Sequence, residues 1–155
     1  MAHRTVFVVA AATVTFLVVG SLTSAEADVR TQNLQLLDTG ATIDVFLNGG
    51  DPSHVGDREV FRDTLVSAKD HGPAGKADGH CTVIEPTTAT TTCTIVTTLQ
   101  RGTLTTEGIG TFVPGAQSTA AITGGTGAYE GATGHATFVV NPGGESPISF
   151  SLAPH

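Results

Sequence analysis

The chain has 155 residues and a formal net charge of −7 at pH 7, with 7 Lys and Arg against 14 Asp and Glu. The few basic residues are scattered and form no stripe, so the composition argues against nucleic acid and anionic membrane surfaces as partners. Two cysteines alone do not make a zinc site, which needs four ligands, and the histidines of the mature chain lack metal-ligand spacing. We therefore expect neither a metal nor another cofactor.

The first 27 residues have the pattern of a secretory signal peptide. A short polar start at His3 and Arg4 precedes an apolar run at 6–20, and Ala25-Glu26-Ala27 fits an Ala-x-Ala cleavage site. The apolar run is about fifteen residues, shorter than the roughly 20 that a membrane-spanning helix needs, so a retained anchor is the less favoured alternative. We expect a secreted or extracytoplasmic protein with no stable membrane insertion, in which residues 28–155 form one domain.

Strand-like runs rich in Thr, Val and Ile then recur along the mature chain, separated by Gly, Pro, Asn and Asp turn signals. No mature stretch carries a helical period, and short strands at even spacing indicate a β-sandwich or a β-barrel. The predicted strands are 33–37, 42–47, 59–66, 79–85, 92–99, 103–112, 118–123, 135–140 and 148–152.

Cys81 and Cys93 lie in two adjacent strand-like runs. A hairpin centred at Thr87 makes them direct cross-strand partners, because each is the same distance from that centre. Export would place them in an oxidising compartment, so we expect a disulfide between them. The alternative is a pair of free thiols, one of which could be a nucleophile in a pocket.

Residues 121–131 read Ala-Ile-Thr-Gly-Gly-Thr-Gly-Ala-Tyr-Glu-Gly. Glycines this dense within a β pattern predict bulges and close approach of the backbone, the features that bend a sheet enough to close into a barrel. We expect Tyr129 to fill the space over these glycines rather than to transfer protons. The functional site should therefore lie inside, or at the mouth of, a small barrel.

Several segments resemble the allene oxide cyclase family, whose barrel is shared with plant dirigent proteins. Residues 56–65 are similar to the family's Gly-Asp-x-x-x-Phe-x-x-x-Leu segment, and 121–134 to its glycine-rich closing motif. Other positions that fall in register are Asp38, Gly40, Gly75, Gly79, Cys81 and the pair Glu107-Gly108. The resemblance implies an all-β, eight-stranded antiparallel barrel with an apolar central cavity, commonly assembled as a homotrimer.

The residues of the family's pocket are mostly exchanged in this chain. The first-strand glutamate of the cyclases falls on Asn33, and a nearby asparagine falls on Gln35. An asparagine that helps to hold a pocket water falls on Asp63, and a pocket tyrosine falls on Gly110, whereas the pocket cysteine is kept as Cys81. The resemblance therefore implies a retained scaffold with altered chemistry, because an amide cannot act as a carboxylate base.

Asp63 is the candidate catalytic residue, since desolvation inside a barrel would raise its pKa and make it a general acid or base. The alternative is a structural role at the barrel rim, either as a cap or as the partner of Arg58 or Arg62. Asn33 and Gln35 are candidate ligand contacts. Strand alternation adds three apolar residues to the expected inner face: Leu37, Phe61 and Leu65.

The resulting functional prediction is an exported barrel that binds a small hydrophobic molecule and guides its cyclisation or isomerisation, without a cofactor. Such a barrel acts mainly by holding a flexible substrate near its reactive shape. The alternative is a non-catalytic carrier of hydrophobic ligands, or a structural exported barrel.

Overall fold

The computed structural model describes residues 32–47, 54–141 and 143–153, which form a closed antiparallel barrel of eight strands. Neighbouring strands pair in chain order, and the first strand also pairs with the last, which closes the barrel. The prediction of an all-β, eight-stranded antiparallel barrel is confirmed. The strands are β1 (Gln32–Leu47), β2 (Arg58–Ser67), β3 (Pro73–Glu85), β4 (Thr90–Leu99), β5 (Gly102–Thr111), β6 (Gln117–Gly125), β7 (Gly134–Val139) and β8 (Ser146–Leu152).

Strand β1 contains two of the strands that the sequence predicts separately. Its pairing with β2 is irregular between Asp38 and Ile43, and Gly40 adopts a positive φ of 110° within this stretch. The Gly40 N–H donates to Asp38 Oδ1 at 2.8 Å. The irregularity is thus a β-bulge supported by the Asp38 side chain, and it bends one long strand rather than ending it.

The β3–β4 hairpin carries the predicted disulfide. A short 3₁₀ helix at Pro86–Thr88 makes the turn, and Cys81 and Cys93 are direct partners in the ladder. Their sulfur atoms are bonded, so the expected disulfide is confirmed and the alternative of two free thiols is wrong. Strand β3 starts at Pro73, six residues before the predicted start, because Pro73 pairs with β2 and 75–78 pairs with both neighbouring strands despite a loop-like composition.

One end of the barrel is filled by side chains. Leu65, Leu104 and Phe150 are fully buried there. A second 3₁₀ helix, Gly127–Tyr129, lies at this end and contributes the buried Tyr129 ring to the core. The rest of the core is formed by Leu36, Ala77, Ile122, Ala132, Ala136, Ile148 and Leu152. Hydrophobic burial at this end leaves the other end of the lumen available for a site.

The glycine-rich segment makes this closed end possible. A Cβ added at Gly125 would lie 2.5 Å from the carbonyl oxygen of Tyr129 and 2.8 Å from its Cβ, closer than side chains approach. The aromatic residue therefore packs directly on a glycine backbone, in the packing role expected for it.

The predicted signal peptide (1–27) and the first residues of the predicted domain lie outside the described residues. In the part of the chain that the structure describes, no helix has the length and apolar character needed to cross a bilayer.

Candidate functional site

The other end of the barrel encloses a cavity of about 310 Å³, which we call the main cavity. This volume is at the low end of the range for small-molecule sites. Residues of all eight strands line it. Its apolar walls include Phe61, Ile95, Phe138, Val140 and Ile148.

Phe61 is held on the cavity wall by its cross-strand neighbour. It pairs with Gly79 of β3, and a Cβ at Gly79 would lie only 2.5 Å from Cζ of the Phe61 ring. The ring therefore lies flat over a position that has no side chain, which is a common use of glycine beside an aromatic residue in a sheet. Gly79 thereby fixes one wall of the main cavity.

Among the described residues, the carboxyl groups that line the main cavity are those of Asp38, Glu59 and Asp63. Asp38 lies on β1, and the other two flank Phe61 on β2. Residues two apart on a strand share a face, so Glu59, Phe61 and Asp63 point to the same side of the sheet. The carboxyl groups of Asp38, Glu59 and Asp63 therefore form one wall of an otherwise mainly apolar cavity, which we call the acidic wall.

Asp63 has a strongly perturbed proton affinity. Its pKa is raised from 3.8 to about 7, mainly by burial and then by the charges of Asp38, Asp44 and Asp78, in that order of importance. Ala41, its partner on β1, is small and leaves the carboxyl open to the cavity. At neutral pH this carboxyl is thus divided between its acid and its carboxylate forms.

Glu59 is perturbed in the same way. Its pKa is raised from 4.5 to about 7, mainly by burial, then by the charge of Asp44 and a side-chain hydrogen bond to Asp44, with a smaller contribution from Asp63. Burial also raises the pKa of Asp38, although the hydrogen bond from Gly40 acts in the opposite direction. The acidic wall therefore favours bound protons near neutral pH.

Two basic residues near this wall, Arg62 and Lys76, are engaged by Asp78. Arg62 Nε donates to Asp78 Oδ1, and Lys76 Nζ lies 3.1 Å from the other Asp78 oxygen. Within the described part of the chain, no ion pair joins Asp63 to Arg58 or Arg62. The alternative of an ion pair between Asp63 and an arginine is therefore not found among the described residues.

The structure brings together only some of the predicted site residues. Phe61 and Asp63 line the main cavity, and Leu65 lies deeper, fully buried in the core. Leu37 is half-buried, whereas Asn33 and Gln35 are exposed, and these three residues do not line the main cavity.

The reason is the alternation of β1. Leu36 is buried in the core, Leu34 packs against it, and Asp38 lines the main cavity, so the even-numbered residues of this strand face inward before the bulge. A shift of one residue exchanges the two faces of a strand completely. Asn33, Gln35 and Leu37 therefore lie on the opposite face of β1 from the one that points inward. Ligand contact by these residues stays a prediction that the lining of the main cavity does not support.

Sequence reasoning missed Glu59 and Asp38 as cavity residues. Glu59 could have been found from the sequence, because it alternates with Phe61 and Asp63 and so shares their face of the strand. Asp38 was missed because the odd-numbered face of β1 was expected to point inward, whereas Asp38 alternates with Leu34 and Leu36 on the other face. A third missed residue, Thr106 of β5, is buried and also lines the main cavity.

A second cavity of about 270 Å³ adjoins the main one, and both are lined by Glu59 and Phe112. Cys81 lines the second cavity and Cys93 lines the main cavity, so their disulfide lies between the two. The pocket cysteine kept from the resemblance is thus oxidised, and its sulfur is not a thiolate nucleophile in this state.

Comparisons with solved structures agree with this architecture. A pyocyanin demethylase is 26% identical, with a TM-score of 0.66, and the match covers 79% of this chain and all (100%) of that one. The pterocarpan synthase dirigent protein GePTS1 is 22% identical with a TM-score of 0.59, covering 79% of this chain and 82% of that one. The Diels–Alderase AbmU from Streptomyces koyangensis is 15% identical with a TM-score of 0.57, covering 84% and 72%. At the latter two identities the likeness extends to the fold alone.

A comparison with curated proteins finds no match. A family model does match: the allene oxide cyclase barrel-like domain, over residues 25–149. That range includes the acidic wall, the disulfide hairpin and the glycine-rich segment. Because the match spans most of the chain and the barrel is the one expected, this protein belongs to the allene oxide cyclase barrel-like family.

Proposed function

We propose that this protein is an exported barrel that binds a small hydrophobic molecule in the main cavity and guides its cyclisation or isomerisation. The observation that carries the proposal is the acidic wall. Glu59 and Asp63, both with pKa values raised to about 7, face a cavity whose other walls are mainly apolar. A few polar groups on apolar walls are typical of sites that hold a small molecule in one orientation.

The raised pKa values make both carboxyls suitable for proton transfer at neutral pH. A protonated carboxyl can donate to an oxygen or a double bond of the substrate, and an ionised one can accept a proton released later. A group whose pKa is close to the working pH is the most effective general acid or base, and such catalysis contributes on the order of 100- to 10,000-fold in rate.

Cyclisation and isomerisation need no partner reagent, because bonds are rearranged within one molecule and a proton that is donated can be recovered. The enclosed shape would contribute further by restricting a flexible substrate to conformations near its reactive one. The similar structures include a dirigent protein, a Diels–Alderase and a demethylase, so this barrel fold supports more than one reaction. They support a small-molecule role without selecting the reaction.

Export is supported by the disulfide between Cys81 and Cys93. Disulfides persist in oxidising compartments and are rare in reducing ones. The sequence pattern of residues 1–27 is a separate argument for the same location.

The homotrimer that the resemblance implies is also a proposal. The outer surface of β1 and β2 exposes Val45, Leu47 and Val60, and Val45 and Val60 are direct cross-strand partners. An apolar patch of this kind is suited to a contact between subunits. Light scattering on purified protein would distinguish a trimer from a monomer.

The functional proposal is tested with the small molecule that the protein retains when it is recovered from its native secretion. That molecule is identified by mass spectrometry and returned to ligand-free protein, and its conversion is followed by NMR. We expect Asp63→Asn or Glu59→Gln to slow conversion by on the order of 100-fold while the variant stays folded. The matched control is Glu107→Gln, which removes an exposed carboxyl from the outer face of β5 and should leave the rate unchanged.

Conversion at an unchanged rate in both cavity variants would remove the acidic wall from the chemistry. A molecule that is bound but never converted by the wild-type protein would identify the barrel as a carrier. Recovery of the protein without any retained molecule, and without binding of hydrophobic probes, would overturn the small-molecule role itself.

A further inference from the structure

The described residues that line the main cavity supply no positive charge to its acidic wall, and Arg58 lines the adjoining second cavity together with Glu59. Among the described residues that line the main cavity there is no Lys, Arg or His to face Asp38, Glu59 and Asp63. The nearby Arg62 and Lys76 are engaged by Asp78 on the outer face. Charges in a low-dielectric site are stable only when they are paired or neutralised, so this wall favours either bound protons or a cation supplied by the ligand.

A second, independent observation is a buried hydroxyl group of the main cavity that lacks a hydrogen-bond partner. Thr106 is 1% exposed, and its Oγ1 has no hydrogen-bond partner among the described residues. Buried hydroxyl groups are nearly always bonded, and an exception is normally explained by a water or a ligand. Thr106 lies on β5, four strands from β1 around a closed barrel of eight, so it belongs to the wall opposite the acidic one.

On the basis of the small-molecule role proposed above, we propose that the natural ligand is an apolar molecule that carries a basic nitrogen. Its protonated nitrogen faces the carboxyls of the acidic wall, and a second polar atom of the same molecule bonds the hydroxyl of Thr106. The ligand is thus held at both ends across the lumen, with its apolar body between Phe61 and Phe138.

Other ligand classes fit these walls less well. An anionic ligand would face carboxyls of the same charge, and like charges in a buried site are strongly unfavourable. A neutral hydrocarbon would leave both the acidic wall and the Thr106 hydroxyl without partners. The aromatic side chains favour the same class, since a cation close to the face of an aromatic ring is attracted to it.

The proposal is tested with three probes that share one ring system: 1-naphthylmethylamine, 1-naphthylmethanol and 1-naphthoate. Binding to the full mature protein is measured by calorimetry at pH 8, where the carboxyls are ionised and the amine is protonated. We expect the amine to bind at least tenfold more tightly than the alcohol, and the carboxylate to bind most weakly. Asp63→Asn and Glu59→Gln should reduce the preference for the amine several-fold without weakening the alcohol, and Glu107→Gln should leave it unchanged.

The Thr106 contact needs its own comparison. A hydroxyl added at the 5-position of the naphthylmethylamine should improve binding several-fold to the wild-type protein and not to Thr106→Val, which keeps the shape but removes the hydroxyl. An equal gain in both proteins, or no gain in either, would overturn this contact.

The outcomes separate this inference from the function on which it depends. If the alcohol binds as tightly as the amine, or the preference survives in both cavity variants, the basic-nitrogen ligand is excluded while the hydrophobic site stands. If none of the three probes binds, the small-molecule role and this inference are both overturned.

Discussion

The side chains of Glu59 and Asp44 are hydrogen-bonded to each other across the β1–β2 ladder. Two carboxyl groups can form such a bond only if one of them holds a proton, which is one of the reasons that the pKa of Glu59 is raised to about 7. Glu59 reaches the main cavity, whereas Asp44 is exposed to solvent. The hydrogen bond therefore links one carboxyl of the acidic wall to strand β1 and helps to raise its pKa.

Stability should fall as the pH rises from about 4 to about 7. Glu59 and Asp63 have ordinary pKa values of 4.5 and 3.8 and folded values of about 7, so in this window the folded state binds protons that the unfolded state has lost. The loss is complete above the folded pKa. We expect roughly 1 kcal/mol for each carboxyl, after allowance for solvent screening of these half-buried groups.

Urea unfolding at pH 5, 6, 7 and 8 measures this dependence. The double variant with Glu59→Gln and Asp63→Asn should flatten the profile, and Glu107→Gln should not. A wild-type protein whose stability rises through this pH range would contradict the raised pKa values. The lowered pKa values of Asp78 and Glu85 act in the opposite direction, but only near and below their ordinary values.

Removing the Cys81–Cys93 disulfide should destabilise the protein. The bond closes a loop of sequence separation 12 and restricts the unfolded chain, which is typically worth about 2–4 kcal/mol. The double variant Cys81→Ala, Cys93→Ala is compared with the wild type by urea unfolding with and without a reducing agent. The reductant should weaken the wild type alone; if it leaves the wild type unchanged, the bond is either absent or without effect on stability.

Gly108 should not tolerate a side chain. A Cβ at this position would lie 2.8 Å from Cα of Ala120 on β6, a backbone atom that cannot easily move. We expect Gly108→Ala to cost about 1–3 kcal/mol of unfolding free energy, in line with the effects of overpacking. Gly124→Ala is the matched control, since its Cβ would meet no atom within 4 Å. Equal stabilities of the two variants would contradict the close approach of β5 and β6.

Ligand binding should depend on Phe61 and not on the first-strand amides. Phe61→Ala removes a cavity wall and should weaken 1-naphthylmethanol binding by about tenfold, the usual effect of losing a large apolar contact. Asn33→Ala and Gln35→Ala alter exposed residues away from the main cavity and should leave binding within twofold. A loss of binding in either amide variant would return these residues to the site.

The sequence alone determined most of the architecture. Strand-like runs and turn residues predicted an all-β chain, and the ordered motifs of the resemblance selected a closed barrel. The disulfide was predictable because the symmetric placement of Cys81 and Cys93 about one turn fixes their cross-strand register. These features depend on local spacing, which a sequence states directly.

Only the tertiary structure decided which residues form the site. A period of two residues identifies the two faces of a strand, but the inner face is known only when its partners are known. On β1 the bulge after Asp38 and the pairing with β8 determine which face points inward, and Asn33 and Gln35 lie on the other face. The unpartnered hydroxyl of Thr106 and the raised pKa of Glu59 likewise depend on groups brought together from separate strands, because burial and charge are properties of the folded neighbourhood rather than of the local sequence.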